Sequence, residues 1–414
     1  MALWPRGAFS VPIAGRGLLC IVENPPVSEL FPEAADPLGQ NPTGGGMIPP
    51  RPDFDRPVYC LLGLPLDAID GAGALVRIRS AAATRQRCFA TTPNLNFLIA
   101  SQRDAAFRDA VIASDLSLAD GMPLVWMARL LGIPLPERVA GSSLFESLRG
   151  DVAHPPLSVY FFGGPQGVAT EAGRRLNQEG KGLRCVGCHY PGFGSIEEMS
   201  TDAVIAQINA SGADFLVVAL GARKGQAWIV RNLPRLAVPV VSHLGAVVNF
   251  VGGCVSRAPR WMQAIGLEWL WRIKEEPSLW RRYGSDGLAV LPLFFTCILP
   301  MAWHRRKQRR KRDALACNIE RTNDGKTVVL RLSGVFLAGG LARLRQELKE
   351  IADMPTDLRL DLAATEDVDS AFVALVQLLH GYRERRGLPF ALSGARGSAA
   401  RVFRWCGAKF LLAA

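Results

Sequence analysis

The chain has 414 residues, of which 49% are apolar, so it is long enough for two folded units with hydrophobic cores. Its formal net charge is +11, yet seven of its 48 basic residues lie in one cluster, His304–Arg312. A charge excess confined to one segment indicates a single anionic partner surface and excludes a chain that is basic throughout. The nine cysteines are an odd number spread along the chain, which excludes a disulfide scaffold and is typical of a reducing compartment.

Residues 1–57 are rich in proline and glycine and show no apolar periodicity, so we predict a mostly disordered lead-in. Pro5, Arg6 and Pro12 interrupt its apolar stretches, which is not the pattern of a signal peptide. The folded part of the chain is therefore expected to begin at Val58.

From Val58 onward, short apolar runs alternate with helical patterns. The runs predicted to be strands are Arg87–Thr92, Leu116–Ala119, Leu157–Phe162, Leu183–His189, Phe215–Leu220 and Val238–His243. Strands that alternate with helices form a mainly parallel sheet covered on both faces, so residues 58–256 are predicted to be an α/β domain. Ligands bind such sheets at the carboxyl ends of the strands.

The next segments indicate membrane association. Residues 257–283 have the pattern of a basic and aromatic helical appendage, and the run Gly287–Trp303 is apolar and uncharged. The apolar run and the cations that follow it lie within residues 284–316. They predict a segment that enters the membrane in a shallow or re-entrant way rather than crossing it. The alternative is a helix buried in the protein core. The cluster could instead bind nucleic acid, but it lacks interleaved aromatic residues, and its position favours anionic lipid headgroups.

Residues 317–414 are predicted to form a second, smaller α/β unit. Its predicted strands and helices alternate in the order Val328–Leu332, 340–351, Leu358–Leu362, 370–386 and Phe390–Ser393.

Polar residues follow two strands of the larger unit. Asp120 ends an apolar strand and could take a proton from an attacking hydroxyl; alternatively it caps the helix that starts at Met122. Spacing alone leaves both interpretations open. Thr92 and Asn94 end another strand and open a helix, where they suit a diphosphate or a sugar, or only cap the helix.

A glycine turn at Gly163 and Gly164 permits close approach of a ligand to the backbone. Pro165 breaks the dinucleotide fingerprint, and the next strand ends without an acidic residue, so a nicotinamide enzyme is not indicated. The Cys185–His189 run matches a haem-attachment pattern, but it lies within a predicted strand of a domain expected to be cytoplasmic. No other Cys/His cluster has the spacing of metal ligands, so we expect no structural metal.

Taken together, these residues resemble the WecG/TagA/CpsF family of bacterial glycosyltransferases over roughly 58–283. The motifs stand in the family's order: Thr92-Pro93-Asn94, Asp120-Gly121, Arg138-Val139-Ala140-Gly141, Leu220-Gly221-Ala222, Arg257-Ala258-Pro259, Gly266-Leu267-Glu268-Trp269, Glu276-Pro277 and Arg281-Arg282-Tyr283.

The resemblance implies a Rossmann-like fold and metal-independent, inverting transfer from a UDP-sugar to a polyprenyl-diphosphate-linked saccharide. The acceptor site would face the cytoplasmic side of the cytoplasmic membrane. The family's catalytic base falls on Asp120 and its active-site Thr and Asn on Thr92 and Asn94. The cations expected to engage the diphosphate are Arg138, Arg257, Arg260, Arg272, Arg281 and Arg282.

One motif departs from the family. Gly225 stands where the family often has glutamine, and Gln226 is displaced by one position. Either Gln226 binds substrate through a shifted turn, or this chain recognises its substrate differently.

The last 95 residues resemble a STAS domain, with Asp369-Ser370 on that family's phosphorylatable pair. This implies a protein-docking module regulated at Ser370, although Ala371-Phe372 departs from the usual continuation. An alternative for the whole chain is a membrane-bound UDP-sugar sensor that signals through this domain without turnover.

Overall fold

A computed structural model describes residues 53–259, 261–262, 266–308 and 317–412. Its larger sheet has six parallel strands in the order β4-β3-β8-β7-β5-β6, with the bounds β3 Cys88–Thr91, β4 Leu116–Ser117, β5 Leu157–Gly163, β6 Leu183–His189, β7 Phe215–Ala219 and β8 Val240–His243. The strands β3 and β7 are buried along their whole length, as expected where helices cover both faces of a parallel sheet. All six predicted strands are present, and the α/β class is confirmed.

Helices connect these strands and place their N-termini at the carboxyl edge of the sheet. They are α1 Gly71–Ala83, α2 Leu95–Arg103, α3 Ala105–Ile112, α4 Met122–Leu130, α5 Gly141–Gly150, α6 Val168–Glu179, α7 Asp202–Ala210, α8 Ala222–Asn232 and α9 Gly245–Val251. Short polar side chains cap four of them, and the caps are Asp70 on the Gly73 N–H, Asn94 on the Phe97 N–H, Asp104 on the Phe107 N–H and Thr201 on the Val204 N–H.

The appendage contains α10 (Glu268–Glu275) and the first turn of a continuous helix that runs on through the apolar run. In this helix α11 (Leu279–Leu293) and α12 (Leu299–Gln308) flank a π-helical turn, Phe294–Ile298. The wide turn follows Pro292, which lacks the N–H that a regular helix would use. The helix from Leu279 to Lys307 is long and apolar enough to cross a membrane, and only 17% of its most apolar window is buried. The alternative of a buried core helix is therefore wrong.

One face of this long helix packs on the protein, and the other is exposed. Asp286 is buried where it accepts hydrogen bonds from the Asn96 amide, and Ile298 and Met301 are buried in the hydrophobic core. Farther along, His304 Nε2 lies 3.0 Å from Asp367 Oδ1 of the C-terminal unit. The exposed face carries large apolar side chains at helical spacing: Leu288, Leu291, Phe295, Leu299 and Trp303. These five residues are called the apolar stripe.

The C-terminal unit has a four-stranded sheet in the order β12-β11-β10-β9, formed by β9 Asn318–Asn323, β10 Thr327–Phe336, β11 Asp357–Val368 and β12 Phe390–Ser393. Its helices are α13 Ala342–Ile351, α14 Ser370–Arg385 and α15 Gly397–Trp405. The predicted elements are all present. The antiparallel strand β9 was not predicted, because it is polar and almost entirely exposed and so lacks the apolar pattern of a strand.

One buried hydrophobic cluster includes residues of both units. A hairpin formed by β1 (Val58–Leu61) and β2 (Leu64–Asp67) packs against α14, and its residues Leu61 and Leu62 belong to the same buried cluster as Phe372 and Leu375. At the tip of the hairpin, the buried Gln377 amide donates to the Gly63 carbonyl at 2.8 Å.

This packing corrects two predictions. The lead-in does not extend to residue 57, because Phe54 and Arg56 are buried and Arg56 pairs with the buried Asp67 at 2.6 Å; residues 1–52 lie outside the described residues. Ser370 is not an exposed regulatory site, since it is 1% exposed at the start of α14. A kinase would have to open the shared core to reach its hydroxyl.

We expect Gly407→Ala to destabilise the protein by about 3–4 kcal/mol. Gly407 has φ +74°, and a Cβ there would lie 2.6 Å from the Gly63 nitrogen, so conformational strain and a clash at the junction add together. Gly325→Ala is the matched control, because Gly325 has φ +85° with nothing within 4 Å and carries strain alone, about 1–2 kcal/mol. Urea unfolding curves measure both, and equal shifts would contradict a tight junction.

Candidate active site

Two cavities meet at the carboxyl edge of the large sheet. The first, of about 350 Å³, lies against the ends of β3, β7 and β8 and is called the sheet cavity. The second, of about 470 Å³, lies between the start of α4 and the appendage and is called the appendage cavity. Six residues line both cavities: Asn94, Asn96, Asp120, Ser142, Arg272 and Arg282. The boundary between the cavities is thus polar and carries one carboxylate and two guanidinium groups.

Asp120 is held at this boundary by backbone contacts. Its own N–H donates to the Pro93 carbonyl at 2.8 Å, and the Gly141 N–H at the start of α5 donates to its carboxylate. The capping alternative for Asp120 is wrong, because Gly121 is the residue that precedes α4 and no side chain caps that helix. The carboxylate is therefore free to face the cavities.

The environment of Asp120 suits a base that works near neutral pH. Burial raises the pKa of its carboxyl to about 6, although Arg138 and Arg272 oppose this shift, and Glu268 adds to it. The group is consequently ionised at pH 7 but accepts a proton more readily than an exposed aspartate does. That combination is what general base catalysis requires.

Thr92 and Asn94 lie where the sequence predicts them. Thr92 is 8% exposed and lines the sheet cavity, while Asn94 lines both cavities. The Asn94 side-chain oxygen accepts the Phe97 N–H at 3.2 Å, so this residue caps α2, and its amide NH₂ is the part that remains to bind a ligand.

The predicted arginines separate into two groups. Arg272 and Arg282 line both cavities, and Arg138 lines the appendage cavity while it pairs with Glu268 at 2.8 Å. Arg257 and Arg281 line neither of the two cavities.

The second group has other contacts. Arg257 donates to Ser142 and Ser143 at the start of α5, with 2.7 Å to Ser143 Oγ. Arg281 is exposed, with its guanidinium 5.8 Å from the Trp280 ring centroid. Arg260 lies outside the described residues.

Three further predicted binding residues, Gly163, Gly164 and Gln226, line neither cavity. A Cβ on Gly163 would lie 2.7 Å from the Ala219 carbonyl oxygen, and one on Gly164 would lie 3.1 Å from Val248, so both glycines allow close packing of the sheet and α9. Gln226 is 0% exposed, which leaves no side-chain surface for a substrate. A shifted turn that presents Gln226 to a ligand is therefore wrong.

Several residues of the site were not predicted from the sequence. His243, at the end of β8, and Asn249, on α9, line the sheet cavity, and the buried atoms His243 Nε2 and Asn249 Oδ1 have no hydrogen-bond partner among the described residues. His243 ends a predicted strand, and ligands bind parallel sheets at the carboxyl ends of the strands, so the sequence favours a role for His243. Asn96 carried no such signal, and Glu268 stands in one of the family motifs but was given no role. Among the described residues, no group of three or more His, Cys, Asp or Glu is placed to hold a metal ion.

Comparisons with known proteins identify two families along the chain. A family model described as the WecG/TagA/CpsF family of glycosyl transferases matches residues 59–310, and one described as a Mlab, STAS domain matches 319–412. The chain is 28% identical over 211 residues to an N-acetylglucosaminyldiphosphoundecaprenol N-acetyl-beta-D-mannosaminyltransferase of Bacillus spizizenii strain W23, covering 51% of this chain and 78% of the relative. It is also 28% identical over 193 residues to the Bacillus subtilis strain 168 protein of the same name, covering 46% and 73%.

We expect the rate of sugar transfer to rise as the pH passes through about 6 and then to level off, because the Asp120 carboxyl must lose its proton before it can act as a base. Asp120→Asn should lower the rate by about 10²–10⁴-fold at pH 7.5. Asp70→Asn is the matched control, since Asp70 caps α1 outside both cavities and asparagine caps equally well. A flat pH profile together with an active Asp120→Asn protein would remove Asp120 from catalysis.

Proposed function

Since the chain belongs to the WecG/TagA/CpsF family of glycosyltransferases, we propose a specific reaction for it. The enzyme moves a hexose, of the N-acetylmannosamine, glucose or glucuronate class, from a UDP-sugar to a polyprenyl-diphosphate-linked saccharide, with inversion at the anomeric carbon. The observation that carries the proposal is the position of Asp120, which lies between two cavities of different character.

The sheet cavity is assigned to the UDP-sugar. Its walls include the N-terminal residues of two helices, Gly141 of α5 and Ala222 of α8. The residue before each helix does not cap it with a side chain, although the first N–H of α5, that of Gly141, already donates to Asp120. Uncapped helix N–H groups bind phosphate oxygens well, and Arg272 and Arg282 add positive charge at the boundary.

The appendage cavity is assigned to the acceptor. Trp269, Trp280 and Tyr283 line it beside Ile273 and Met122, and this apolar and aromatic surface suits the faces of sugar rings. The long helix of the appendage begins at this cavity and carries the apolar stripe away from it. A saccharide bound here would therefore have its lipid tail close to a surface that can enter a membrane.

The proposed reaction is a single displacement. Asp120 takes the proton of an acceptor hydroxyl, and the hydroxyl oxygen forms a bond to the anomeric carbon while the bond from that carbon to the diphosphate oxygen breaks. The negative charge that develops on the departing UDP is stabilised by Arg272, Arg282 and the helix N–H groups. In this proposal these groups stabilise the charge that a metal ion stabilises in other transferases, and no cofactor is required.

We further propose that the enzyme lies on the cytoplasmic face of the cytoplasmic membrane. The apolar stripe faces away from the protein, whereas the opposite side of the same helix packs on both folded units. A helix held in this way inserts one face into a bilayer rather than crossing it. The exposed Arg306 and Lys307 follow Trp303 and are placed to meet anionic headgroups.

Incubation of the full chain with lipid-linked N-acetylglucosamine diphosphate and a panel of UDP-glucose, UDP-glucuronate and UDP-N-acetylmannosamine tests the reaction. We expect UDP release with one donor, dependent on the acceptor, and a lipid product heavier by one sugar in mass spectrometry. Asp120→Asn is the negative control for both readouts. Tight UDP-sugar binding without acceptor-dependent UDP release would instead support the sensor alternative.

Replacing the seven cations of 305–312 with glutamine should release the protein from vesicles that contain anionic lipid. Each cation near such a surface contributes about 1 kcal/mol, and high salt should have the same effect. Some vesicle binding by the apolar stripe should remain in the cation variant. Replacing Leu291, Phe295 and Leu299 with serine should abolish this remaining binding, as measured by co-sedimentation with vesicles. Val76→Ser, at an exposed apolar residue of α1, is the control, and unchanged binding of both multiple variants would contradict the proposed membrane surface.

A further inference from the structure

The ring of His243, in the wall of the sheet cavity, occupies space that is open only because residue 225 is a glycine. His243 ends β8, and Gly225 lies in the first turns of α8, directly above that strand end. The register pairs His243 with Val218 of β7, the strand from which the chain enters α8. A Cβ on Gly225 would lie 2.3 Å from His243 Cδ2, so any other residue there would displace the imidazole ring.

Glycine within a helix is unfavourable, and its presence at position 225 needs a reason. The space that it leaves is filled by the ring of His243, and a second glycine, Gly245, approaches the same ring: a Cβ there would lie 3.3 Å from Nε2. Two glycines therefore lie against one imidazole, Gly225 in the first turn of α8 and Gly245 at the start of α9. The arrangement fixes the position of the ring in the wall of the sheet cavity.

Two polar atoms in the described part of this wall lack hydrogen-bond partners. His243 Nε2 is buried without a hydrogen bond among the described residues, and so is Asn249 Oδ1, which lines the same cavity. Buried polar atoms of this kind are costly unless a ligand or water satisfies them. Burial lowers the pKa of His243 to about 4, so the ring is neutral at pH 7 and offers one donor and one acceptor.

We infer that His243 is a specificity-determining residue that hydrogen-bonds an uncharged polar group of the donor nucleotide-sugar. This inference rests on the proposed function. A neutral imidazole brings no positive charge to a diphosphate, and its donor and acceptor suit an amide, carbonyl or hydroxyl, which can belong to the uracil ring or to the transferred sugar. Gly225 is the positioning residue that makes room for the ring.

Isothermal titration of the full chain with UDP and with the three UDP-sugars of the panel tests this inference. His243→Phe keeps a ring against Gly225 but removes both nitrogens, and we expect its affinity to fall about tenfold. His243→Gln places an amide nitrogen near the position of Nε2 and should recover part of the loss. The control is His189→Phe, because His189 ends β6 outside both cavities, stacked on Phe162.

The two arms of the titration identify the group that is bound. A loss for UDP and for UDP-sugars alike assigns His243 to the nucleoside, and a loss for a UDP-sugar alone assigns it to the sugar; either result supports the inference. Unchanged affinity of His243→Phe for every probe, with a wild-type protein that binds, overturns it. A wild-type protein that binds none of the probes overturns the proposed function instead.

A second variant covers the case in which His243→Phe does not fold. Gly225→Ala should displace the ring and weaken binding by a similar factor, while thermal unfolding reports its stability. In a His243→Ala background the same substitution has no ring to displace, so it should no longer lower the midpoint of unfolding. Equal effects of Gly225→Ala in both backgrounds would show that glycine and histidine are not coupled.

Discussion

The Arg138–Glu268 ion pair joins the large sheet to the appendage, and the candidate site depends on it. Arg138 lies in the loop between α4 and α5, and Glu268 opens α10. Their contact at 2.8 Å, with both side chains mostly buried, holds the appendage over the carboxyl edge of the sheet. The same two charges act on the pKa of Asp120 in opposite directions. Breaking a partly buried pair by removing one partner leaves the other charge uncompensated, which costs more than the pair contributes. The pair therefore links the shape of both cavities to the protonation of the base.

A second link, the Asn96–Asp286 hydrogen bond, ties the start of the long helix to the same edge. The far end of that helix is tied to the C-terminal unit through His304, Asp367 and Ser398. The direction of the apolar stripe relative to Asp120 is thus set by contacts at both ends of one helix. For an enzyme whose acceptor is anchored in a membrane, this geometry would fix how far the reacting hydroxyl lies from the bilayer.

The C-terminal unit is more than an attached docking module. Its helix α14 packs on the β1–β2 hairpin, and the residue expected to be a phosphorylation site is buried there. This face of the unit is occupied by the transferase unit of the same chain. Removal of the C-terminal unit would expose the apolar side of the hairpin, so we expect transferase activity and the STAS domain to be coupled through folding.

The sequence by itself determined the α/β class, the order of the strands along the chain and the motif residues Thr92, Asn94 and Asp120. These follow from local patterns: apolar periodicity, and polar residues placed just after strands. It could not decide whether Asp120 caps a helix, because that depends on one backbone geometry at Gly121. It also assigned Gln226 and Ser370 to exposed surfaces, although both are buried by elements distant in sequence. The tertiary structure alone decided the role of Gly225, since the ring that it accommodates is brought there by the pairing of β7 with β8.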